Sequence, residues 1–218
     1  MSTMSTAIRS RAELPWVSPG RFLDHLERVW LISDTHWGHR RLREVLAPGV
    51  RPANVDTLMV QRWWEAVGLD DPVLHLGDVF MGDLAAADVP DHFPTLPGHV
   101  FLVPGNHDGS DKLAALAAIG WLMVEPFAFE YQGWTVHFSH QPLEGLAEGE
   151  LNVHGHIHQN PPPSPRHFNA SVERIDYRPV LLKQVLDQLI EANGGARKWG
   201  ARRAAVPRGR GGSAGREA

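Results

Sequence analysis

The sequence predicts one α/β domain built as a layered sandwich with mixed sheets. Short apolar stretches alternate with helical stretches along the body of the chain, which is typical of an α/β domain. Strand candidates outnumber helix candidates in the second half, and a doubly wound sheet fits that order less well. With 218 residues, of which 43% are hydrophobic, the chain is long enough to bury one ordinary core.

The first strand candidate is the apolar run at residues 28–33. Asn54 is expected to cap a helix, because its amide side chain can accept a hydrogen bond from the first turn. The apolar face of that helix includes Leu58, Trp63 and Val67, which recur at helical spacing.

Two further central strands are predicted at residues 73–76 and 99–103, each followed by a glycine-containing turn. A short helix is expected at residues 112–118, and another strand at 151–153. Pro179 is expected to occupy the first position of a final helix, where its missing N–H costs nothing.

A hairpin is predicted in the second half of the chain. The stretches 127–131 and 134–138 are rich in aromatic and β-branched residues, and they flank the dipeptide Gln132-Gly133. A two-residue loop that contains glycine is typical of a tight β-turn.

Composition excludes several kinds of site. The chain has 13 histidines and no cysteine, so a disulfide scaffold, a cysteine–zinc module, an iron–sulfur cluster and a thiol nucleophile are all excluded. No apolar run reaches the ~18 residues of a membrane span. Residues 1–28 lack the apolar block of a signal peptide, so a cytoplasmic location is expected by default.

The chain divides into an N-terminal extension (1–27), a folded domain (28–192) and a basic tail (193–218). Seven of the 21 lysines and arginines lie at residues 194–218, with a single acid, Glu217, so the body is acidic. The tail is expected to be disordered. It is either a solvated terminus or a segment that binds nucleic acid.

Polar residues with metal-binding side chains follow the predicted strands. Because ligands gather outside the carboxyl ends of strands in α/β sheets, these segments are expected to converge. Glycines at positions 77, 105 and 155 permit tight turns or close backbone approach. The polar residues are Asp34, His36, Asp78, Asn106, His107, Asp108, His140, His156 and His158.

Two aspartates, one asparagine and several histidines are ligands suited to manganese, iron or zinc. Two metal ions about 3.5–4 Å apart need a shared carboxylate, for which Asp78 is the candidate. Such a centre generates hydroxide near neutral pH and stabilises both oxygens of an in-line displacement at phosphorus.

The chain resembles the calcineurin-like metallophosphoesterases over residues 29–180. The resemblance rests on five motifs in the family's order, Asp34-x-His36, Gly77-Asp78, Gly105-Asn106-His107-Asp108, His140 and Gly155-His156-x-His158. Residues 33–39, 167–169 and 177–180 are most similar to the small bacterial and phage-type branch. The resemblance implies a four-layer α-β-β-α sandwich of two mixed sheets around a dinuclear centre of manganese, iron, zinc or nickel. It implies one metal ion held by Asp34, His36, Asp78 and His158, and another held by Asp78, Asn106, His140 and His156.

The resemblance also implies roles around the metals. His107 corresponds to the leaving-group acid or phosphate-contacting histidine, and Asp108 is expected to orient its ring. The nucleophile is a metal-bridging hydroxide, so no covalent phospho-enzyme is expected. His39 is a candidate either for substrate contact or for capping the helix that follows, and Phe80 is a candidate for lining the substrate cleft.

The predicted activity is hydrolysis of a small phosphodiester or phosphomonoester, nucleotides included. The protein serine/threonine phosphatases follow their Gly-Asp with an Arg-Gly pair, whereas the stretch Asp78-Val79-Phe80-Met81-Gly82-Asp83 contains no arginine. Arginine can bind phosphate with two hydrogen bonds, so its absence counts against that branch. Two alternatives stay open. One is a nuclease on single-stranded DNA or RNA ends recruited by residues 194–218, and the other is a non-catalytic binding module.

Overall fold

The computed structural model describes residues 13–42, 44, 49–81 and 84–197. Nine strands and five α-helices are described in this part of the chain, with single 3-10 turns at Leu26–Arg28, Ala86–Asp88 and Val172–Arg174. The helices are α1 Gly20–Leu23, α2 Val55–Ala66, α3 Val89–His92, α4 Ser110–Ala118 and α5 Leu182–Ala192. The strands are β1 Trp30–Ile32, β2 Pro72–His75, β3 His99–Leu102, β4 Leu122–Met123, β5 Phe127–Tyr131, β6 Trp134–Phe138, β7 Glu150–His154, β8 His167–Asn169 and β9 Val180–Leu181.

The strands form two mixed sheets, as the sequence predicts. The first has the order β4-β3-β2-β1-β9, with β9 antiparallel to β1 and the other pairs parallel. The second has the order β5-β6-β7-β8, with an antiparallel β5–β6 pair and parallel β6–β7 and β7–β8 pairs. Parallel strands share an orientation, so the carboxyl ends of β1, β2 and β3 lie at one edge, and those of β6 and β7 lie together in the second sheet.

Two apolar clusters hold these layers together. One joins the inward faces of both sheets, for example Leu74 and Phe101 with Val136 and Val153, and the apolar side of α5 completes it. The other lies on the opposite face of the first sheet, where Val73, Val100 and Leu102 pack against α2 and α4. Both faces of the parallel strands are therefore covered, which explains why they are apolar throughout.

The predicted hairpin is confirmed. Phe127 pairs with Phe138 and Tyr131 pairs with Trp134. Gln132 and Gly133 have positive φ angles of 50° and 80°, as a type I′ turn requires.

Two details of the predicted helices are wrong. Pro179 does not begin the last helix, because Val180 and Leu181 first pair with β1 and α5 begins at Leu182. Pairing with the open edge of β1 supplies hydrogen bonds that a helix start would leave unmade. The side chain of Asn54 makes no capping hydrogen bond, although its carbonyl accepts the amide of Leu58.

The described parts of the segments that flank residues 28–192 make contacts with the folded domain. Phe22 has only 1% of its surface exposed and packs in the cluster between the sheets. After α5, the amide of Arg197 donates to the carbonyl of Gln132, and its guanidinium lies 4.8 Å from the Trp134 ring centroid. The rest of the basic tail, residues 198–218, lies outside the described part of the chain. In the described part, no helix is both long and apolar enough to cross a membrane.

Candidate metal centre

The predicted ligands come together from both sheets. Asp34 and His36 follow β1, Asp78 follows β2, and the histidines at 140, 156 and 158 follow β6 and β7. They form two groups, and within each group the ligand atoms all lie within 4.8 Å of one another. The Asp34 cluster contains Asp34, His36 and His158, and the Asp78 cluster contains Asp78, His140 and His156.

In the Asp34 cluster, Asp34 and His36 are buried, and only some of their polar atoms have hydrogen-bond partners. Asp34 Oδ2 accepts hydrogen bonds from the His156 amide at 2.8 Å and the Ser171 hydroxyl at 2.9 Å. Among the described residues, Asp34 Oδ1 and both ring nitrogens of His36 have no hydrogen-bond partner. Buried polar atoms without partners are rare in native proteins, and a metal ion is one explanation for them.

The Asp78 cluster is held by hydrogen bonds among its own members. His140 Nδ1 lies 2.7 Å from the Leu76 carbonyl, to which it can donate a proton. His140 Nε2 therefore faces inward, 2.9 Å from Asn106 Oδ1 and 3.2 Å from His156 Nδ1. Asn106 thus lies beside this cluster, as the motif resemblance implies.

Asp78 stands between the two clusters. Its Oδ2 lies 3.5 Å from His36 Nε2 and 3.4 Å from His140 Nε2, while its Oδ1 accepts the His107 amide at 2.9 Å. A carboxylate oxygen that faces one histidine from each cluster has the position expected of a bridging ligand.

The backbone is strained where the ligands sit. Five of the eight described non-glycine residues with positive φ are predicted ligands: Asp34, His36, Asp78, His156 and His158, with φ between 47° and 69°. Left-handed backbone costs most side chains of order 1 kcal/mol or more and concentrates at functional sites. The strand ends turn sharply so that these side chains point at one another.

Glycines allow this crowding at two points. A Cβ at Gly105 would collide with Asp78 Oδ1, and a Cβ at Gly155 would collide with Asp34 Oδ2. The close backbone approach predicted for these glycines is therefore present, and any larger residue would displace a predicted ligand.

Burial and neighbouring charges shift the pKa values of several predicted ligands. Burial lowers the pKa of His36 to about 2, so its imidazole is neutral at pH 7. Burial opposes ionisation of Asp78, but hydrogen bonding and charge from His140 outweigh it and hold the pKa of Asp78 well below its usual value. Burial would lower the pKa of His140, yet the hydrogen bond to Asp78 and the nearby carboxylates raise it to about 9.

The donor set fits a pair of divalent cations. It offers carboxylate, amide and imidazole ligands without a thiolate, the mixture that suits manganese, iron, zinc or nickel. The unpartnered atoms of Asp34 and His36 lie where a cation would satisfy them.

His107 lies beside the centre, but Asp108 does not orient its ring. His107 Nε2 is 4.0 Å from Asp78 Oδ2, and 41% of the side chain is exposed. The Asp108 carboxylate instead accepts the amides of Asp78, Val79 and Gly105 at 2.7–3.1 Å. The predicted role of Asp108 is wrong, because the turn aims its carboxylate at the loop of Asp78.

The structure gives different outcomes for the two residues predicted to contact substrate, His39 and Phe80. The His39 ring lies 5.5 Å from the His36 ring, at the edge of the centre, so substrate contact stays a prediction for it. Phe80 has no exposed surface and packs edge-on against Phe93 in the core. The prediction that Phe80 lines the cleft is therefore wrong. Lys112 lies over the Phe80 ring and donates to the Phe80 carbonyl.

Three buried residues that support the site are absent from the sequence analysis. Ser171 donates to Asp34, while Arg51 and Glu173 form an ion pair at 2.7 Å next to His158. Serine, arginine and glutamate are common residues, and nothing in their local sequence marks them as buried. Their partners lie too far along the chain to be paired by spacing.

Comparison with known sequences decides the family. The family model described as calcineurin-like phosphoesterase matches residues 27–201. The chain belongs to that family. The resemblance stated from the motifs is thereby confirmed, and membership implies metal-dependent hydrolysis of phosphoesters. The two mixed sheets agree with the fold of the family.

Relatives extend across archaea and phages. An uncharacterized protein of Methanocaldococcus jannaschii is 26% identical over 174 residues, covering 76% of this chain and 93% of that protein. The gene 66 protein of Mycobacterium phage L5 is 28% identical over 166 residues, covering 61% of this chain and 78% of that protein. Each match covers more than three quarters of the relative's own length.

A solved structure supports the fold. The crystal structure of a protein of unknown function from Aquifex aeolicus matches with a TM-score of 0.59 and 24% identity. The match covers 74% of this chain and 98% of the other. At this identity the likeness bears on the fold alone.

Proposed function

We propose that this phosphoesterase hydrolyses a small phosphodiester or phosphomonoester, nucleotides included, with two divalent metal ions. The observation that carries the proposal is the shared Asp78 carboxylate, whose Oδ2 faces His36 on one side and His140 on the other. The Asp34 cluster would hold one ion and the Asp78 cluster with Asn106 the other, with Asp78 between them. Manganese is the first metal to test.

The bound ions would supply activation of water and stabilisation of charge on the attacking and leaving oxygens. The protein's own residues would position the phosphate and the metal ligands and would transfer protons. His107 stands half exposed beside Asp78, where its imidazole can contact the phosphate and donate a proton to the leaving oxygen. Its amide meanwhile holds Asp78 Oδ1 at 2.9 Å, which keeps the other oxygen turned toward the histidines.

The surroundings favour a small anionic substrate. Residues 79–83, which follow Asp78, include no arginine that could bind phosphate with two hydrogen bonds. The rings of His39 and His107 lie next to His36, with centroids 5.5 and 5.7 Å from its ring. These rings can donate hydrogen bonds to phosphate oxygens.

The test is hydrolysis of bis(4-nitrophenyl) phosphate and of 4-nitrophenyl phosphate by the purified protein with manganese. We expect turnover by the wild type, and a loss of at least about 10³-fold, or about 4 kcal/mol, in Asp78→Ala. His99→Ala is the matched control, because His99 is an exposed histidine at the far end of β3 and should leave turnover unchanged. Absence of hydrolysis with manganese, iron, zinc or nickel, at two ions per chain by elemental analysis, contradicts the proposal.

The nuclease alternative depends on the basic tail. Arg197 packs against Trp134 and pairs with Glu148, so truncation after residue 197 removes the remaining basic residues without breaking these contacts. If single-stranded DNA or RNA ends are the substrate, truncation weakens their binding and reduces its salt dependence. Equal hydrolysis of the small esters by both forms would then separate the two functions.

A further inference from the structure

A buried ion pair lies directly behind one predicted metal ligand. Glu173 Oε1 is 3.1 Å from His158 Nδ1, and it also accepts from Arg51 Nε at 2.8 Å and pairs with the Arg51 terminal nitrogen at 2.7 Å. The side chains of Arg51 and Glu173 are 2% and 4% exposed. Burial of both charges carries a large desolvation cost, and removal of one partner would leave the other charge buried without compensation.

Arg51 also holds the loop that carries the other ligands of the same cluster. Its two terminal nitrogens donate to the carbonyls of Thr35 at 2.8 Å and Asp34 at 2.7 Å. One guanidinium therefore connects the Asp34 loop to the turn that carries Glu173. The planar fork of arginine suits this arrangement, since lysine could not reach three acceptors in fixed directions.

The segment after Glu173 is strained and anchored. Asp176 and Tyr177 both have a φ of 54°, a costly conformation for an aromatic residue. Arg62 binds the carboxylate and carbonyl of Asp176, and the Tyr177 hydroxyl donates to the Val50 carbonyl at 2.9 Å. Tyr177 thus binds the residue next to Arg51, and Arg62 anchors the turn that follows Glu173. These contacts limit the movement of both Arg51 and Glu173.

We propose that Glu173, held by Arg51, is the positioning residue for His158. It accepts the Nδ1 proton of His158, so the imidazole is held in the tautomer whose Nε2 is free to bind a cation in the Asp34 cluster. The His158 ring lies beside the His36 ring, with centroids 5.1 Å apart, which places it against that cluster. This role rests on the proposed metal centre and adds to it two residues that touch neither metal nor substrate.

Carboxylates that receive the outer N–H of a ligating histidine commonly change metal affinity by about 10–100-fold when removed. We therefore expect Glu173→Ala to weaken one of the two manganese-binding steps by about that factor and to leave the other step unchanged. Glu173→Gln should recover most of the affinity, because its amide oxygen can still accept the His158 proton. The measurement is isothermal titration of the metal-free full chain with manganese.

Arg62→Ala is the matched control. It removes an anchor of the same strained turn but no contact to His158, so both binding steps should stay as in the wild type. If Arg62→Ala loses as much affinity as Glu173→Ala, general loosening of the turn explains the effect and the positioning role is wrong. The role is equally wrong if Glu173→Ala binds both ions as the wild type does.

The wild type itself gives a second test that does not depend on a variant folding. In the zinc-loaded protein, nitrogen-15 NMR should show His158 protonated at Nδ1 and coordinated at Nε2. Coordination through Nδ1 overturns the inference. If the wild type binds no metal at all, the proposed function fails first, and that outcome is distinct from normal binding with an unaffected Glu173→Ala variant.

Discussion

The Asp34 and Asp78 clusters differ in whether their ligand atoms are hydrogen-bonded. In the Asp78 cluster, His140 Nε2 faces Asn106 and His156 within hydrogen-bonding distance. In the Asp34 cluster, Asp34 Oδ1 and both nitrogens of His36 lack partners among the described residues. An unsatisfied buried polar atom costs about 1–3 kcal/mol. We therefore expect the Asp34 cluster to gain more from a bound cation, because binding in the Asp78 cluster would first break hydrogen bonds.

The clusters also differ in what supports them. Behind the Asp34 cluster are side chains, chiefly Arg51 and Glu173. Behind the Asp78 cluster are backbone groups that bind the ligands directly, namely the Leu76 carbonyl that binds His140 and the His107 amide that binds Asp78. Substitution can remove a side chain but not a main-chain amide, so we expect the Asp34 cluster to be more sensitive to mutation of its surroundings.

The largest effect is expected from Arg51→Met. It removes the arginine partner of the buried Glu173 and leaves only His158 beside that carboxylate, and breaking a buried ion pair costs about 3–5 kcal/mol of unfolding free energy. Arg62→Met is the control, since it removes a pair in which Asp176 is 83% exposed and should cost no more than about 1 kcal/mol. Urea denaturation of the metal-free proteins measures both, and equal losses would remove the distinction between the two kinds of support.

Manganese is expected to stabilise the folded chain, with the Asp34 cluster contributing most. At 100 times its dissociation constant, one bound ion adds about 2.7 kcal/mol, and a thermal midpoint in a domain of this size rises by about 5–10 °C. His36→Ala should lose most of this rise, whereas His156→Ala should keep the larger part. Thermal denaturation with and without manganese tests the order, and a greater loss in His156→Ala would reverse it.

A smaller effect is expected from pH, through a residue that joins the two loops. His75 is fully buried; its Nδ1 accepts the Gly77 amide at 3.2 Å, and its Nε2 lies 3.0 Å from the Thr35 hydroxyl. Burial lowers the pKa of His75 to about 3. Because the unfolded chain takes up this proton near pH 6.5 and the folded chain does not, stability falls as the pH drops below that value.

Between pH 7 and pH 5, His75 alone should account for a loss of about 2 kcal/mol in the metal-free protein. His75→Gln keeps polar groups at the position without a titrating proton, so its loss over the same interval should be smaller by that amount. Urea denaturation at the two pH values gives the difference. An equal loss in both proteins would mean that the loops of the two clusters are not joined through a neutral His75.

Much of the fold follows from local patterns. The hairpin at residues 127–138 is predictable because alternating apolar residues flank a turn that requires positive φ at Gly133. The convergence of the ligands is predictable because parallel strands bring their carboxyl ends to one edge. Both inferences use information contained within a few residues or in the direction of a strand.

The wrong predictions concern residues whose conformation is set by contacts with distant parts of the chain. The pairing of Val180 with Leu31 overrides the tendency of Pro179 to start a helix. Asp108 lies next to His107 in sequence, yet the turn directs its carboxylate to amides 29 and 30 residues away.

The supporting pair behind His158 is the extreme case. Arg51 and Glu173 meet across 122 residues, and neither is distinguishable by type or spacing from an exposed charge. The clustering of the predicted ligands follows from the sequence, but the residues that hold them in place do not.

The division of the ligands between two sheets has a consequence for biosynthesis. Asp34, His36, Asp78 and Asn106 precede β5, whereas the three remaining histidines follow β6 and β7. During synthesis from the N-terminus, neither cluster can be completed until both sheets have emerged and packed together. Each cluster as a whole would therefore be available to a cation only at the end of folding. A metal ion that needs all of its ligands would then be selected by the folded domain and not by the nascent chain.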